Sequence, residues 1–305
     1  MADDNSLDLL VVIFDANPVW WGRVFAEKSQ EQITLTSCVD SMIVMCNAHL
    51  MMKQSNTLAF IASNTRQSKF LFPKESLQEM HTIEESRSVP SDSRCEKFVQ
   101  MDDLIVSEIK ELIGNSEIPA QENPVHSNPP SALPSALCMA LCYIHRKEKE
   151  CPVGLKLKPR IMVVKASPDN ASQYLTIMNC IFGAQKSNVI IDACALYQNS
   201  GFLQQAADIT GGVYLKIENT LSILEHLLWL YLPGQGTRDM LILPSSQHID
   251  YRAACFCHRK LVDIGYVCSV CLSIYCQFIP RCITCQTLFK LPLPPPLQRS
   301  KKKKK

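Results

Sequence analysis

The sequence predicts an α/β fold, a mainly parallel sheet flanked by helices, followed by a small cysteine-rich module. Three observations carry this. Short β-branched runs alternate with helix-period segments from residue 7 to about 232, the strand runs are near-continuously apolar, and seven of the fifteen cysteines crowd between Cys255 and Cys285. Strands covered by helices on both faces read as continuous apolar runs, whereas a half-solvated antiparallel sheet would alternate. With 305 residues, 47% of them hydrophobic, the chain can bury one sizeable core and leave a second, smaller unit.

Six runs qualify as strands: 7–15 (LDLLVVIFD), 57–62, 69–72, 160–166, 188–196 and 213–217. Helical periodicity marks 41–53, 98–113, 135–146, 173–184 and 202–209; around the third, Leu133, Leu137, Leu141 and Ile144 line one face. A last helix over 220–232 is apolar nearly all round, which predicts burial against the sheet, and Pro233-Gly234 ends it. Residues 73–94, rich in Ser and Glu, and 114–131, with breakers Pro119, Pro124, Pro129 and Pro130, read as long surface loops. The expected organisation is an α/β domain over 1–240, a metal-binding module over 248–290 and a Pro-rich and Lys-rich disordered tail over 291–305.

A net charge of +2, with signs mixed along the chain, provides no whole-protein field for nucleic acid or an acidic membrane. The start Met1-Ala2-Asp3-Asp4 is acidic where a secretory signal needs a basic segment. The best membrane candidate, 221–232, is broken by Glu225 and His226 and is too short to span. A soluble intracellular protein is expected, with reduced thiols and no disulfide framework. No phosphate-binding glycine loop and no nucleophile paired with a base stands out, so neither a catalytic residue nor a small-molecule substrate is expected.

The cysteines carry the chemistry. Cys268-x-x-Cys271 and Cys282-x-x-Cys285 are two knuckle pairs ten residues apart, which can place four thiolates around a tetrahedral Zn²⁺. A closed four-sulfur site leaves no open position for water, so the zinc is expected to be structural. Cys255, Cys257, His258 and Cys276 are surplus to that site. They would complete the eight ligands of a two-zinc, cross-braced RING, but the first pair is C-x-C and Cys276 has no nearby histidine partner in sequence. The Lys301–Lys305 run suits nuclear import, phosphate attraction or simple solvation.

Local patterns in the large domain resemble the von Willebrand factor A family over roughly residues 7–232. Asp15-Ala16-Asn17-Pro18-Val19 stands where that family often has D-x-S-x-S, and Ser131-Ala132-Leu133-Pro134-Ser135-Ala136-Leu137 resembles its T-x-L-x-x-A-L. The stretch 202–214 (FLQQAADITGGVY) is similar to its last helix, double-glycine turn and strand. The resemblance implies a von Willebrand A-like sheet and, in many members, a Mg²⁺ site at the carboxyl edge. Here Val19 offers no donor and Lys165-Ala166-Ser167 replaces T-D-G, so Mg²⁺ is not expected; Asp15 reads instead as a helix cap or an acceptor for loop amides.

Joined to the run C-F-C-H-R-K-x-x-D-I-G-x-x-C-S-x-C-L-S-x-x-C over 255–276, this domain resembles the smaller von Willebrand A-like core subunits of the general transcription and DNA-repair factor TFIIH. The resemblance implies a nuclear, non-enzymatic scaffold. It would bind the larger von Willebrand A-like, zinc-bearing subunit, support RNA polymerase II initiation and nucleotide excision repair, and touch DNA weakly or indirectly, with no membrane partner. A RING-type ubiquitin ligase and a zinc-dependent DNA-binding protein remain alternatives on the residues alone.

Overall fold

The structure is a computed structural model that describes residues 6–27, 33–74, 92–114, 129–152, 154–244 and 249–289. The expected 291–305 tail, and most of the expected loops over 73–94 and 114–131, lie outside the described residues. The chain divides into two compact units, Met1–Tyr251 and Arg252–Lys305.

In the first unit, β1 (Ser6–Asp15), β2 (Thr57–Ser63), β3 (Ser68–Phe72), β4 (Lys156–Lys165), β5 (Ile190–Ala195) and β6 (Tyr214–Lys216) form one sheet in the order β3-β2-β1-β4-β5-β6. Every pairing is parallel except β2 with β3. β1 is central, with Val12 opposite Phe60 on one side and Met162 on the other. The chain builds β2 and β3 on one side of β1 and then crosses from β3 to β4 on the other, and this reversal opens a crevice at the carboxyl ends of β1 and β4, by Asp15 and Lys165.

The helices are α1 (Pro18–Glu27), α2 (Leu35–Met52), α3 (Asp92–Gly114), α4 (Leu133–Glu150), α5 (Tyr174–Lys186) and α6 (Gly201–Thr210). Leu10, Val12 and Phe14 share a core with Met42 and Cys46 of α2 and Ile105 and Ile109 of α3. Val11 and Ile13 point the other way by the two-residue strand period, toward the side where α4 contacts β1, β2 and β4. Both faces are therefore covered, which accounts for the unbroken apolar strands.

Helix ends follow from local chemistry. α2 begins six residues before the expected 41 because the Thr34 hydroxyl accepts from the Ser37 amide at 3.2 Å. Ser200 caps α6 through the Leu203 amide, and Gly211 ends it with a left-handed φ of +73°. The next residue, Gly212, passes so near β5 that a Cβ there would lie 2.0 Å from the Ile191 carbonyl oxygen.

Two expectations need correction. The apolar run at 220–232 forms a 3-10 turn, a short helix α7 (Ile223–His226) and a π-type turn over Leu227–Tyr231, and it is not buried all round. Ile223, Leu227 and Tyr231 enter the core, but Leu221 and Trp229 are 58% and 74% exposed, because one sheet can cover only one side of a helix. Among the described residues, the helix long and apolar enough to cross a membrane, by length and composition, is α2 and not 221–232. Its Cys38, Val39, Met42, Ile43, Met45 and Cys46 are core residues of this unit.

A buried ion-pair cluster that no periodicity foreshadows ties the end of this unit to the sheet. Arg238, the last residue of α8 (Gln235–Arg238), donates from Nη1 and Nη2 to the Asp192 carboxylate of β5, both at 2.7 Å. Arg160 of β4 donates to the Tyr231 and Pro233 carbonyls at 2.8 Å each, and Asp192 accepts from the Val213 amide at 2.9 Å.

Candidate metal centre

The carboxyl-terminal unit has very little apolar core. Cys268, Tyr275 and Cys282 are buried, with Ile279 and Phe289 packed against them. Ile264, Val270, Leu272 and Leu288 are exposed. Its regular structure is two short antiparallel pairs, β7 (Ala253–Ala254) with β8 (Leu261–Val262) and β9 (Tyr266–Val267) with β10 (Ile274–Tyr275).

Three tight turns dominate this unit, and they share one hydrogen-bond pattern. The amides of Cys255, Cys268 and Cys282 each donate to the carbonyl five residues on, at 2.9 Å, while their carbonyls accept from the amides of Arg259, Leu272 and Gln286 at 2.9, 2.9 and 3.0 Å. Arg259, Leu272 and Gln286 have φ of 54°, 59° and 63°, a left-handed conformation that costs a non-glycine residue about 1–2 kcal/mol. In the second and third turns the first and fourth residues are the predicted ligands Cys268, Cys271, Cys282 and Cys285.

Those four sulfurs all lie within 4.8 Å of one another. Cys268 and Cys285 are 3.6 Å apart and Cys271 and Cys282 3.5 Å, against about 3.8 Å between thiolates on a tetrahedral zinc with Zn–S bonds of about 2.3 Å. Burial opposes ionisation of Cys282, but the Tyr275 hydroxyl, the Cys285 amide and the neighbouring thiols hold it down to about 5. Cys268 is pushed up to about 11, because the amides of Cys271 and Val270 are outweighed by burial and by the Cys271 and Cys285 thiols. Four thiols this close cannot all ionise against one another, whereas a divalent cation at their centre reverses that balance. Hydroxyls complete the surroundings: Ser273 lies 3.2 Å from Cys271 and Thr287 3.1 Å from Cys285.

A second group stands beside this one. Donor atoms of Cys255, Cys257, His258 and Cys276 also fall within 4.8 Å of one another. Cys276 Sγ is 3.5 Å from Cys257 Sγ and 3.2 Å from His258 Nδ1. In sequence, Cys255 and Cys257 form a C-x-C pair and Cys276 has no nearby histidine. In the structure the turn's first and fourth residues are Cys255 and His258, and His258 is the partner of Cys276 from eighteen residues away. The signal that could have found it is the C-x-x-H spacing, hidden by the cysteine at its third position.

At the carboxyl edge of the sheet, Asp15 is fully buried, and its Oδ2 accepts from the Ser167 amide at 2.9 Å and from the Ser167 hydroxyl. Asn17, two residues on, caps α1: its Oδ1 accepts from the Val19 and Trp20 amides at 3.1 and 3.3 Å. Lys165 forms an ion pair with Asp169, which also accepts from the Ser200 hydroxyl at 2.7 Å. Asp15 Oδ2 and Asn17 Oδ1 are thus bonded to loop and helix amides, while the buried Asp15 Oδ1 has no hydrogen-bond partner among the described residues. Trp21 packs into the core and donates from Nε1 to the Asp15 carbonyl at 2.9 Å, while Trp20 is half-buried against Tyr197.

A von Willebrand A-like sheet domain followed by a cysteine-rich module with two metal-spaced donor groups defines the class of protein. The chain belongs to the Transcription factor Tfb4 family, whose model matches residues 7–286 and so spans both units. It is 36% identical over 286 residues to the general transcription and DNA repair factor IIH subunit tfb4 of Schizosaccharomyces pombe, covering 94% of this chain and 90% of that one. It is 37% identical over 277 residues to general transcription factor IIH subunit 3 of Dictyostelium discoideum, covering 88% and 72%. Its fold is similar to the crystal structure of the TFIIH p34 N-terminal domain, with a TM-score of 0.59, 24% identity and 74% and 98% coverage.

Proposed function

We propose that the chain is a non-catalytic scaffold subunit of a TFIIH-type core in the nucleus, supporting RNA polymerase II initiation and nucleotide excision repair. Its main contact is the larger von Willebrand A-like, zinc-bearing subunit. Cys268, Cys271, Cys282 and Cys285 hold a structural Zn²⁺ in the carboxyl-terminal unit. The observation that carries the reading is the match of one family model across both units, whose named relatives are TFIIH subunits.

The physical features agree with that role. A four-thiolate site closes the metal to substrate, and a unit with this little core needs the metal to fold, which suits a recognition surface better than a reaction centre. At the carboxyl edge, Asp15 Oδ2 accepts from Ser167 and Lys165 pairs with Asp169, contacts that hold loops against the sheet.

The test is affinity purification of the tagged full chain from nuclear extract, with identification of co-purifying subunits. Recovery of the other TFIIH core subunits is expected; recovery of none would sink the scaffold reading. The interleaved order of the two donor groups along the chain favours one second reading, a RING-type ubiquitin ligase. Discharge of ubiquitin from a charged conjugating enzyme by the purified chain would support that reading, and no discharge above background is expected.

A further inference from the structure

We infer that Cys255, Cys257, His258 and Cys276 hold a second zinc ion, interleaved with the first, so that the carboxyl-terminal unit is a two-metal module. The turn at Cys255 carries the argument. It repeats the two C-x-x-C turns bond for bond: the amide of its first residue donates to a carbonyl five residues on, its fourth residue precedes a left-handed residue, and the carbonyl of the first accepts from that residue's amide. A conformation disfavoured at Arg259, Leu272 and Gln286 alike is one the surroundings must impose, and the shared feature is a donor atom at the first and fourth positions. In the first turn those donors are Cys255 and His258.

The other two donors arrive from different places and meet the same point. Cys257 sits inside the turn, and Cys276 follows β10. The 3.5 Å between Cys257 and Cys276 equals that between Cys271 and Cys282 in the four-cysteine group, and His258 turns Nδ1, not an edge carbon, to Cys276. An exposed histidine gains nothing from facing a thiol in water; it does gain from sharing a cation with it.

Charge and topology agree. Three thiolates and a neutral imidazole leave a zinc site at a net −1, and Arg259 and Lys260 follow directly in sequence. Along the chain the donors run 255, 257 and 258, then 268 and 271, then 276, then 282 and 285, so each group closes a loop that contains part of the other. The β7–β8 hairpin contributes only Ala254 and Cys255 to the buried apolar residues of the unit, too little to hold it. A second zinc supplies the missing anchor.

Native mass spectrometry of the full chain is the test, with the zinc edge X-ray absorption spectrum as the readout that does not depend on a variant. Two zincs per chain are expected. Seven cysteines and one histidine shared between them give an average first shell of three and a half sulfurs and half a nitrogen per zinc. Cys276→Ser and His258→Ala are expected to drop to one zinc with an all-sulfur shell. One zinc in the unmodified chain with four sulfurs around it would overturn the proposal, whether or not the variants fold. The zinc count is independent of which subunits co-purify, so it can fail while the scaffold reading stands.

Discussion

At the scale of single residues, the clearest signals in the sequence were those whose chemistry needs fixed local spacing. Cys268-x-x-Cys271 and Cys282-x-x-Cys285 could be read because a knuckle is a four-residue object, and the structure places their sulfurs together. His258 stands among the surplus donors in the sequence, but its pairing with Cys276 is not legible there because only the fold brings the two together. The double glycine was also legible, and its second member has the harder constraint. Gly212→Ala puts a methyl 2.0 Å from a strand carbonyl, so a loss of about 3 kcal/mol or more is expected in urea denaturation, whereas an unchanged midpoint would refute the close approach. His49 was not singled out, yet it is buried and its Nε2 lies 3.3 Å from the Thr57 carbonyl, an acceptor that requires Nε2 to carry the proton. Burial, and then the charge of Arg160, lower its pKa to about 4. The unfolded chain binds this proton from about pH 6.5 downward while the folded chain refuses it until about pH 4, so stability falls as pH drops through that window, by about 3 kcal/mol. Denaturant midpoints measured from pH 7 to pH 4 should show the fall, and His49→Gln should flatten it.

At the scale of elements, six strands and six of the helices could be read in outline because burial on both faces leaves continuous apolar runs and helices keep their period. Their ends were less legible. α2 starts at a threonine whose hydroxyl reaches one amide, and the 220–232 run changes hydrogen-bond register along its length, neither of which alters hydrophobic periodicity. The Asp192, Arg160 and Arg238 cluster was invisible because its members lie 32 and 46 residues from the aspartate and pair only after the sheet forms. Removing one partner of a buried pair leaves the other charge uncompensated, so Arg238→Ala is expected to cost about 3–5 kcal/mol and to loosen the 227–238 segment. Hydrogen exchange should localise the loosening there, and uniform exchange across the sheet with an unchanged midpoint would contradict it.

At the scale of the whole molecule, the two units depend on different forces. The sheet unit buries a continuous apolar core, while the carboxyl-terminal unit buries, among the described residues, Ala254, Tyr275 and three cysteines, and has two groups of sulfur and nitrogen donors. Metal binding is worth on the order of 10 kcal/mol of folding free energy in small zinc modules, more than this core can supply. Stripping the full chain with a strong chelator is therefore expected to abolish amide protection over residues 252–289 while leaving the sheet protected; equal loss in both units would show that they fold as one. The central claim joins the proposed zinc module to assembly, and the most direct test compares the intact chain with Cys268→Ser as affinity bait. The account predicts that the intact chain recovers TFIIH core subunits with zinc bound, and that the variant loses that zinc and most of the larger von Willebrand A-like subunit while its sheet unit stays folded. Equal recovery of that subunit by a variant shown to lack the zinc would contradict it.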